Sequence, residues 1–222
     1  MSIPPTLFNF LEDLSANNNR EWFNANKDRY VEQNEVMKAF TADVHDKLSH
    51  HDEIEASRVY RIYRDVRFSK NKTPYKEHFA ANFKRASKWK RGGMYLHISN
   101  EDSFIAGGFW GPEKDDLKRL RDEFVQDGDR LRTIINAPAF IKTFGQLEGE
   151  QLKTKPKGYD KDHPNIDLLR YKQFLLYRKC TKKEVLSSNF SQLVSDTFKE
   201  MRPFFDYMSS VLTTDLNGVS ID

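Results

Sequence analysis

Apolar residues recur at helical spacing at both ends of the chain. Residues 6–15 carry their apolar side chains on one face, which predicts a short helix. Residues 20–48 repeat an apolar residue every seven positions, which predicts a long core-facing helix with Asn18 at its capping box. Residues 190–212 predict a final amphipathic helix, which Pro203 must kink or restart.

Short segments of strand character lie between these helices. Aromatic and β-branched residues, joined by short polar turns, favour an antiparallel meander. The predicted strands cover residues 58–63, 79–83, 94–98, 103–110 and 173–178. The Gly107-Gly108 pair inside the fourth strand indicates a bulge or a close approach of backbone. Further helices are expected between residues 115 and 144, followed by an ordered loop over 146–163.

These patterns predict a single α+β domain over residues 1–222. An antiparallel sheet of about four to five strands is expected to pack against the N- and C-terminal helices. The last ten residues, 213–222, are expected to form a frayed tail. Hydrophobic residues make up 38% of the chain and charged residues 31%, which supplies a core and a strongly charged surface.

Composition excludes several classes of protein. Cys180 is the only cysteine, so neither an internal disulfide nor a multi-cysteine metal site is expected. No apolar run approaches the length of about 20 residues that spans a membrane. The N-terminus lacks the charged start and unbroken apolar core of a signal peptide. A cytoplasmic protein without membrane partners is therefore expected, and the sequence indicates no particular cofactor or metal.

Positive charge is concentrated in residues 58–76, which read RVYRIYRDVRFSKNKTPYK. The segment holds seven Lys and Arg residues against one acid, Asp65, which can serve one arginine but not four. Its aromatic and β-branched residues favour a folded element over a floppy tail. A cation cluster fixed on a folded element indicates an anionic ligand, although pairing with acids from elsewhere in the chain is an alternative.

A second basic segment covers residues 153–183, with ten Lys and Arg residues against three acids. Within it, KGYDKDHP (157–164) adds the donors Lys157 and Tyr159 to a group of acids and His163. The spacing of these acids and the histidine matches no metal motif. A turn before a helix start is one interpretation of this string, and contact with a ligand is the other.

The expected ligand-binding side chains come from both segments: Arg61, Arg64, Arg67, Lys72, Tyr75, Lys76, Lys157 and Tyr159. Asp65 is expected to orient an arginine, and KGYDKDHP to form an opposing wall. If chemistry occurs, the candidate bases are Asp65, His78 and His163, and the sequence does not choose among them. His97 fits a core or surface position better than a catalytic one.

The first basic segment resembles the defining motif of the domain of unknown function 2461 family of bacteria and fungi. The motif falls on eight residues: Arg61, Arg64, Asp65, Arg67, Phe68, Asn71, Lys72 and Tyr75. Flanking strings also resemble the family, namely NNNREWFNANKDRY (17–30), YLHIS (95–99), PKGYDKDHP (156–164) and LLRYKQF (168–174). The resemblance covers residues 6 to 208 and implies a single-domain soluble protein. It implies no activity, and Asn71 is the less common family choice at its position.

Three functions remain open from the sequence. The first is binding of a phosphate-bearing or other anionic small ligand in an Arg/Lys-rich pocket, with or without catalysis. The second is a nucleic-acid-binding module that stacks bases on four aromatic residues: Tyr60, Tyr63, Trp89 and Tyr95. The third is a non-enzymatic protein-interaction domain, which predicts a large exposed apolar patch.

Overall fold

The computed structural model describes residues 1–221. Ten helices occur in this part of the chain: α1 (Pro5–Ala16), α2 (Arg20–Ala25), α3 (Lys27–Leu48), α4 (Lys114–Gln126), α5 (Asp129–Ile135), α6 (Pro138–Phe144), α7 (Ile166–Leu169), α8 (Lys182–Val185), α9 (Phe190–Glu200) and α10 (Arg202–Thr213). Five strands accompany them: β1 (Ile54–Val59), β2 (His78–Arg85), β3 (Gly93–Ser99), β4 (Ser103–Phe109) and β5 (Phe174–Cys180). The predicted α+β class is confirmed.

The five strands form one antiparallel sheet in the order β1-β2-β3-β4-β5. Each strand therefore pairs with its neighbour along the chain, which confirms the predicted meander and the number of strands. Residues 100–102 make the tight turn between β3 and β4. Residues 110–173, which carry α4 to α7, separate β4 from its neighbour β5.

Contacts within the chain define two compact units. The first comprises residues 1–84, 95–105 and 179–196. The second comprises residues 85–94, 106–178 and the described residues from 197 onward.

In the first unit, helices α1 and α3 pack against each other, and α3 packs against strand β1. Phe10, Phe23 and Phe79 are fully buried there and give the unit an aromatic core. The prediction of one helix over 20–48 is wrong, because Asn26 separates α2 from α3. The predicted cap is also wrong: the Asn19 side chain, not that of Asn18, accepts from the Trp22 amide at 2.9 Å.

Helix α10 lies in the second unit and follows α9 at Met201, with Pro203 in the first turn of α10 as expected from its position. Phe205 of α10 lies over Gly107, where a Cβ atom would approach the Phe205 ring to 2.9 Å. A Cβ atom on Gly108 would lie 2.1 Å from the Phe174 carbonyl oxygen. The close backbone approach predicted for this glycine pair is therefore confirmed.

The end of the chain also belongs to the second unit. Thr214 and Ser220 form an antiparallel bridge. The Arg119 guanidinium donates to the carbonyl oxygens of Thr214 and Asp215 at 2.8 and 3.0 Å. The predicted frayed tail is thus hydrogen-bonded over 214–220, and residue 222 lies outside the described residues. A search of residues 1–221 for a helix with the length and apolar character needed to cross a bilayer finds none.

Candidate functional site

The first basic segment continues the sheet beyond β1 and β2 as an irregular hairpin. Tyr63 and Tyr75 form an isolated antiparallel bridge. The Arg64 amide donates to the Pro74 carbonyl at 2.9 Å, and the Lys76 amide donates to the Ile62 carbonyl at 2.8 Å. The predicted strand over 58–63 is therefore only partly right, because β1 ends at Val59. Residues 65–73 form the tip of this hairpin.

Asn18 fastens the returning arm of the hairpin to the N-terminal helices. Its side-chain oxygen accepts from the Tyr75 amide at 3.2 Å, and its amide nitrogen donates to the Tyr75 carbonyl at 3.1 Å. The same nitrogen lies 2.8 Å from Oε1 of Glu77. Because these three bonds use the whole side-chain amide, Asn18 is not the helix cap.

Aromatic packing gives the hairpin a firm base. Tyr75 is buried, and its ring stacks on Phe23 with centroids 3.9 Å apart and planes 15° apart. Tyr63 packs edge-on against Phe23 at 5.8 Å. Burial, together with the nearby Tyr63 hydroxyl, raises the pKa of Tyr75. The neutral phenol is therefore the form present at physiological pH.

Arg67 is the one cation of residues 58–76 that pairs with a carboxylate in the described part of the chain. Its Nε and NH2 atoms lie 3.0 and 2.7 Å from the two oxygens of Asp65. This hydrogen-bonded pair lowers the pKa of Asp65 and raises that of Arg67. Both side chains are largely exposed, so the expected role of Asp65 in orienting an arginine falls on Arg67 at the hairpin tip.

Arg64 differs from the other arginines of the segment because its side chain is half-buried, and like Arg58 and Arg61 it has no carboxylate partner among residues 1–221. One terminal nitrogen donates weakly to the Tyr75 carbonyl at 3.4 Å. Its Nε atom is enclosed and has no hydrogen-bond acceptor among residues 1–221. A buried guanidinium N–H without an acceptor costs free energy unless a ligand or water supplies one.

The cations around Arg64 repel one another. Burial lowers the pKa of the Lys76 ammonium, and the charges of Arg61 and Arg64 lower it further. Lys76 donates to the Arg61 carbonyl at 3.1 Å and lies over the Tyr60 ring at 5.6 Å. Lys72, at the tip, donates to the Val66 carbonyl at 2.9 Å. None of these contacts neutralises a charge, so the group carries uncompensated positive potential.

Arg64 lines two depressions in the first unit. The smaller, here named the arginine cleft, has a volume of about 340 Å³. Its walls come from α2 and the two arms of the hairpin: Arg20, Asn24, Tyr63, Arg64, Val66, Pro74 and Tyr75. Two arginines and no acid line this cleft, which is the arrangement that suits an anion.

The larger depression, here named the histidine cleft, has a volume of about 770 Å³. Its charged and titratable lining groups are Glu12, Arg64, Glu77, His78, His97, Glu101, Asp102 and Lys182. The rings of His78 on β2 and His97 on β3 lie side by side, with centroids 4.2 Å apart. His97 also stacks on Phe104 and lies 3.2 Å, through Nδ1, from the Tyr95 hydroxyl.

Both histidines of this cleft are neutral at physiological pH. Burial lowers the pKa of His78 to about 4, with further lowering by His97, Lys76 and Arg64. Burial likewise lowers the pKa of His97 to about 4, against an opposing effect of Asp102. Two uncharged imidazoles in a cleft offer hydrogen-bond acceptors and a base without adding positive charge.

The remaining predicted side chains, Lys157, Tyr159 and His163, belong to the second unit. The Tyr159 hydroxyl donates to Asp122 at 2.8 Å; burial and this bond raise the pKa of Tyr159 to about 12. His163 accepts from the Asn165 amide through Nδ1 at 3.1 Å, as expected for a turn before a helix start. Lys157 is exposed. Tyr159 and His163 thus have partners within their own unit.

Sequence reasoning assigned no binding role to Arg20, Asn24, Glu77 and His97, all of which line one of the two clefts. Arg20 and Asn24 lie 40 or more positions from the hairpin tip along the chain, and only the tertiary fold brings them there. His97 had a usable signal, since it alternates with buried residues of β3 on the side that faces away from them. In residues 1–221, no three His, Cys, Asp or Glu side chains are grouped as a metal site requires.

Comparison with known proteins gives one match. The family model described as "Conserved hypothetical protein (DUF2461)" matches residues 6–207, which is nearly the whole chain. No curated protein and no solved structure matches the chain. The matched range includes the hairpin and every side chain of both clefts. The chain therefore belongs to the DUF2461 family of conserved hypothetical proteins.

Proposed function

We propose that the protein binds a small ligand through a phosphate or carboxylate group held by Arg64 in the arginine cleft. The observation that carries this proposal is the half-buried Arg64 side chain, whose enclosed Nε atom has no acceptor and which has no carboxylate partner among residues 1–221. An oxyanion would supply the missing acceptor and would offset the repulsion among Arg61, Arg64 and Lys76.

The residues around Arg64 favour binding of a small ligand at a defined site over a general attraction of anions to the positive surface. Arg20 approaches from α2, and Asn24 and the backbone-fixed Tyr63 and Tyr75 complete the walls. The bridge between Tyr63 and Tyr75 and the stacking on Phe23 hold this wall in place before a ligand arrives. Such preorganisation reduces the entropic cost of binding.

Titration calorimetry with phenyl phosphate tests the proposal. Arg64→Ala is expected to weaken binding about tenfold to a hundredfold, the value of a charged, forked hydrogen bond. Arg64→Lys, which keeps the charge but removes the fork, is expected to fall between wild type and Arg64→Ala. Arg67→Ala is the matched control, because Arg67 already pairs with Asp65 at the exposed tip.

Equal binding by wild type and Arg64→Ala, with both proteins folded by circular dichroism, would contradict the proposal. The same holds if wild type does not bind phenyl phosphate at millimolar concentration. A loss in Arg67→Ala as large as in Arg64→Ala would point to diffuse attraction by the whole hairpin instead of a site.

A second candidate function, nucleic-acid binding, is favoured by the hairpin tip. Phe68 is 96% exposed, and the Arg67 guanidinium lies 6.0 Å from its ring centroid. Tyr60 and Tyr63 are also exposed, whereas Tyr95 is half-buried. An exposed aromatic ring among cations suits stacking on a base of a single strand.

Fluorescence anisotropy with a labelled single-stranded oligonucleotide separates this function from the first. Nucleic-acid binding predicts affinity that falls steeply with salt and drops in Phe68→Ala. Absence of binding at low ionic strength removes this candidate and leaves the small-ligand proposal in place.

A further inference from the structure

The two clefts of the first unit have one wall in common. Arg64 lines both of them, so its guanidinium is shared between the arginine cleft and the histidine cleft. The histidine cleft, at about 770 Å³, is the larger of the two and falls in the size range of small-molecule sites. The residues that line the histidine cleft therefore determine which ligands bind at Arg64. This inference rests on the proposed anion site.

The electrostatic character changes from one cleft to the other. The arginine cleft has two cations and no acid, whereas the histidine cleft has four acids and two cations among its lining groups. The cation Lys182 lies 5.0 Å from the Phe8 ring, and Asp102 already has Lys179 at 3.8 Å. The lining away from Arg64 thus favours a positive group.

Glu77 is the acid best placed to hold such a group. It is half-buried, whereas Glu12 and Glu101 are exposed, so its charge is screened less by water. Asn18, which also fixes the hairpin backbone, donates to Oε1 of Glu77 and holds its carboxylate. His78 follows Glu77 directly, and His78 and His97 add neutral acceptors without competing charge.

We infer that the histidine cleft selects ligands that carry an ammonium group in addition to the anion on Arg64, so that the ligand is a small zwitterion. The anion receives hydrogen bonds from the Arg64 guanidinium. The ammonium donates to the Glu77 carboxylate and to a neutral imidazole. The hairpin register supports this assignment, because Arg64 and Glu77 lie on opposite arms and both line the histidine cleft.

Matched pairs of probes test the inference. O-Phosphoethanolamine and propyl phosphate have the same chain length and differ by an ammonium in place of a methyl group. The pair 3-aminopropyl phosphate and butyl phosphate covers a longer separation between the charges. In wild type, the amino member of at least one pair is expected to bind about fivefold more tightly than its alkyl counterpart, as a partly buried ion pair predicts.

Glu77→Gln is expected to remove most of that difference, because the amide offers no negative charge to the ammonium. The glutamine keeps an oxygen that accepts from Asn18, so the hairpin contact is preserved. Glu35→Gln, an exposed acid on α3 that lines neither cleft, is the control and should keep the full difference.

The outcomes separate the inference from the proposal beneath it. If alkyl and amino phosphates bind equally to wild type, the anion site stands and the zwitterion is excluded. If the amino probe binds more tightly but Glu77→Gln keeps the whole difference, the assignment to Glu77 is overturned. If no probe binds, the anion site itself fails, and the zwitterion inference fails with it. The wild-type comparison remains decisive even where Glu77→Gln does not fold.

Discussion

The chain has two basic segments of similar charge density, residues 58–76 and 153–183. They differ in how many of their cations lie close to a carboxylate. In residues 153–183, Lys161, Lys172 and Lys179 each lie within 4 Å of a carboxylate. In residues 58–76, Arg67 alone has such a partner among the described residues. The fold therefore brings carboxylates to at least three cations of residues 153–183, including Glu150 and Asp102 from outside that segment, but to one cation of residues 58–76.

This difference teaches that the density of cations in a sequence does not by itself locate a binding site. The deciding quantity is the number of carboxylates that the fold delivers to those cations. In the second unit, even a residue from outside the basic segment, Arg132, binds the Asp167 carboxylate through two nitrogens, at 3.1 and 2.7 Å. In the first unit, Arg64 has no carboxylate partner among residues 1–221, although it lines both the acid-free arginine cleft and the histidine cleft.

The difference between the two segments should shrink if a carboxylate is placed close to Arg64. Asn24→Asp places a carboxylate in the arginine cleft at nearly constant volume. We expect the affinity for phenyl phosphate to fall about thirtyfold, because the new charge repels the anion and occupies the arginines. Calorimetry of this variant measures the effect.

Asn9→Asp is the control for Asn24→Asp, since Asn9 is an exposed residue of α1 that lines neither cleft. It adds the same charge to the same unit. An equal loss of affinity in both variants would mean that net charge, not the arginine cleft, governs binding.

The histidine cleft and the second unit should also lose stability in different pH ranges. His78 and His97 have pKa values lowered to about 4, below the value of about 6.5 in an unfolded chain. The unfolded state therefore binds more protons between these values, and stability falls as the pH drops from about 6.5 to 4. We expect a loss on the order of 1 kcal/mol per histidine after solvent screening.

Two aspartates of the second unit, Asp167 and Asp122, affect stability at lower pH. Hydrogen bonds from Arg132 outweigh the opposing effect of burial and lower the pKa of Asp167, while Lys118 and Tyr159 do the same for Asp122. Their contribution is present above the ordinary aspartate pKa and is lost below it. Urea unfolding at a series of pH values, with His78→Gln and Asp167→Asn, resolves the two ranges. If His78→Gln leaves the slope between pH 6.5 and 4 unchanged, the histidine assignment is wrong.

The smallest expected effect comes from releasing Arg67. Asp65→Asn removes the partner of an exposed arginine at the hairpin tip. Because both side chains are solvated, we expect no measurable change in melting temperature and about a twofold gain in affinity for phenyl phosphate. A large destabilisation, measured by differential scanning calorimetry, would show that the tip depends on this ion pair.

The sequence predicts the fold better than it predicts the site. Strands β2 and β3 follow from the local alternation of apolar residues, and the Gly107-Gly108 pair correctly indicates the close approach to Phe174. The break at Asn26 is missed because the apolar repeat continues through it. Asn18 has the spacing of a helix cap, yet its side-chain amide donates to the Tyr75 carbonyl and to the Glu77 carboxylate, which are distant in sequence.

Arg64 belongs to the expected set, but sequence alone does not distinguish it from Arg61 or Arg67. The distinction depends on which side chain the hairpin register buries and which acid lies nearby, and both are tertiary properties. The same applies to Arg20, which only the packing of α2 against the hairpin brings into the arginine cleft.

The most direct test of the central claim follows the side-chain Nε–H groups of the arginines by ¹H–¹⁵N nuclear magnetic resonance during titration with phenyl phosphate. The Arg64 Nε–H, which lacks an acceptor within residues 1–221, is expected to shift and become protected from exchange as it gains one. The Nε–H signal of Arg67, which already donates to Asp65, is expected to keep its chemical shift. An Arg64 signal that stays unmoved at saturating phenyl phosphate would contradict the account.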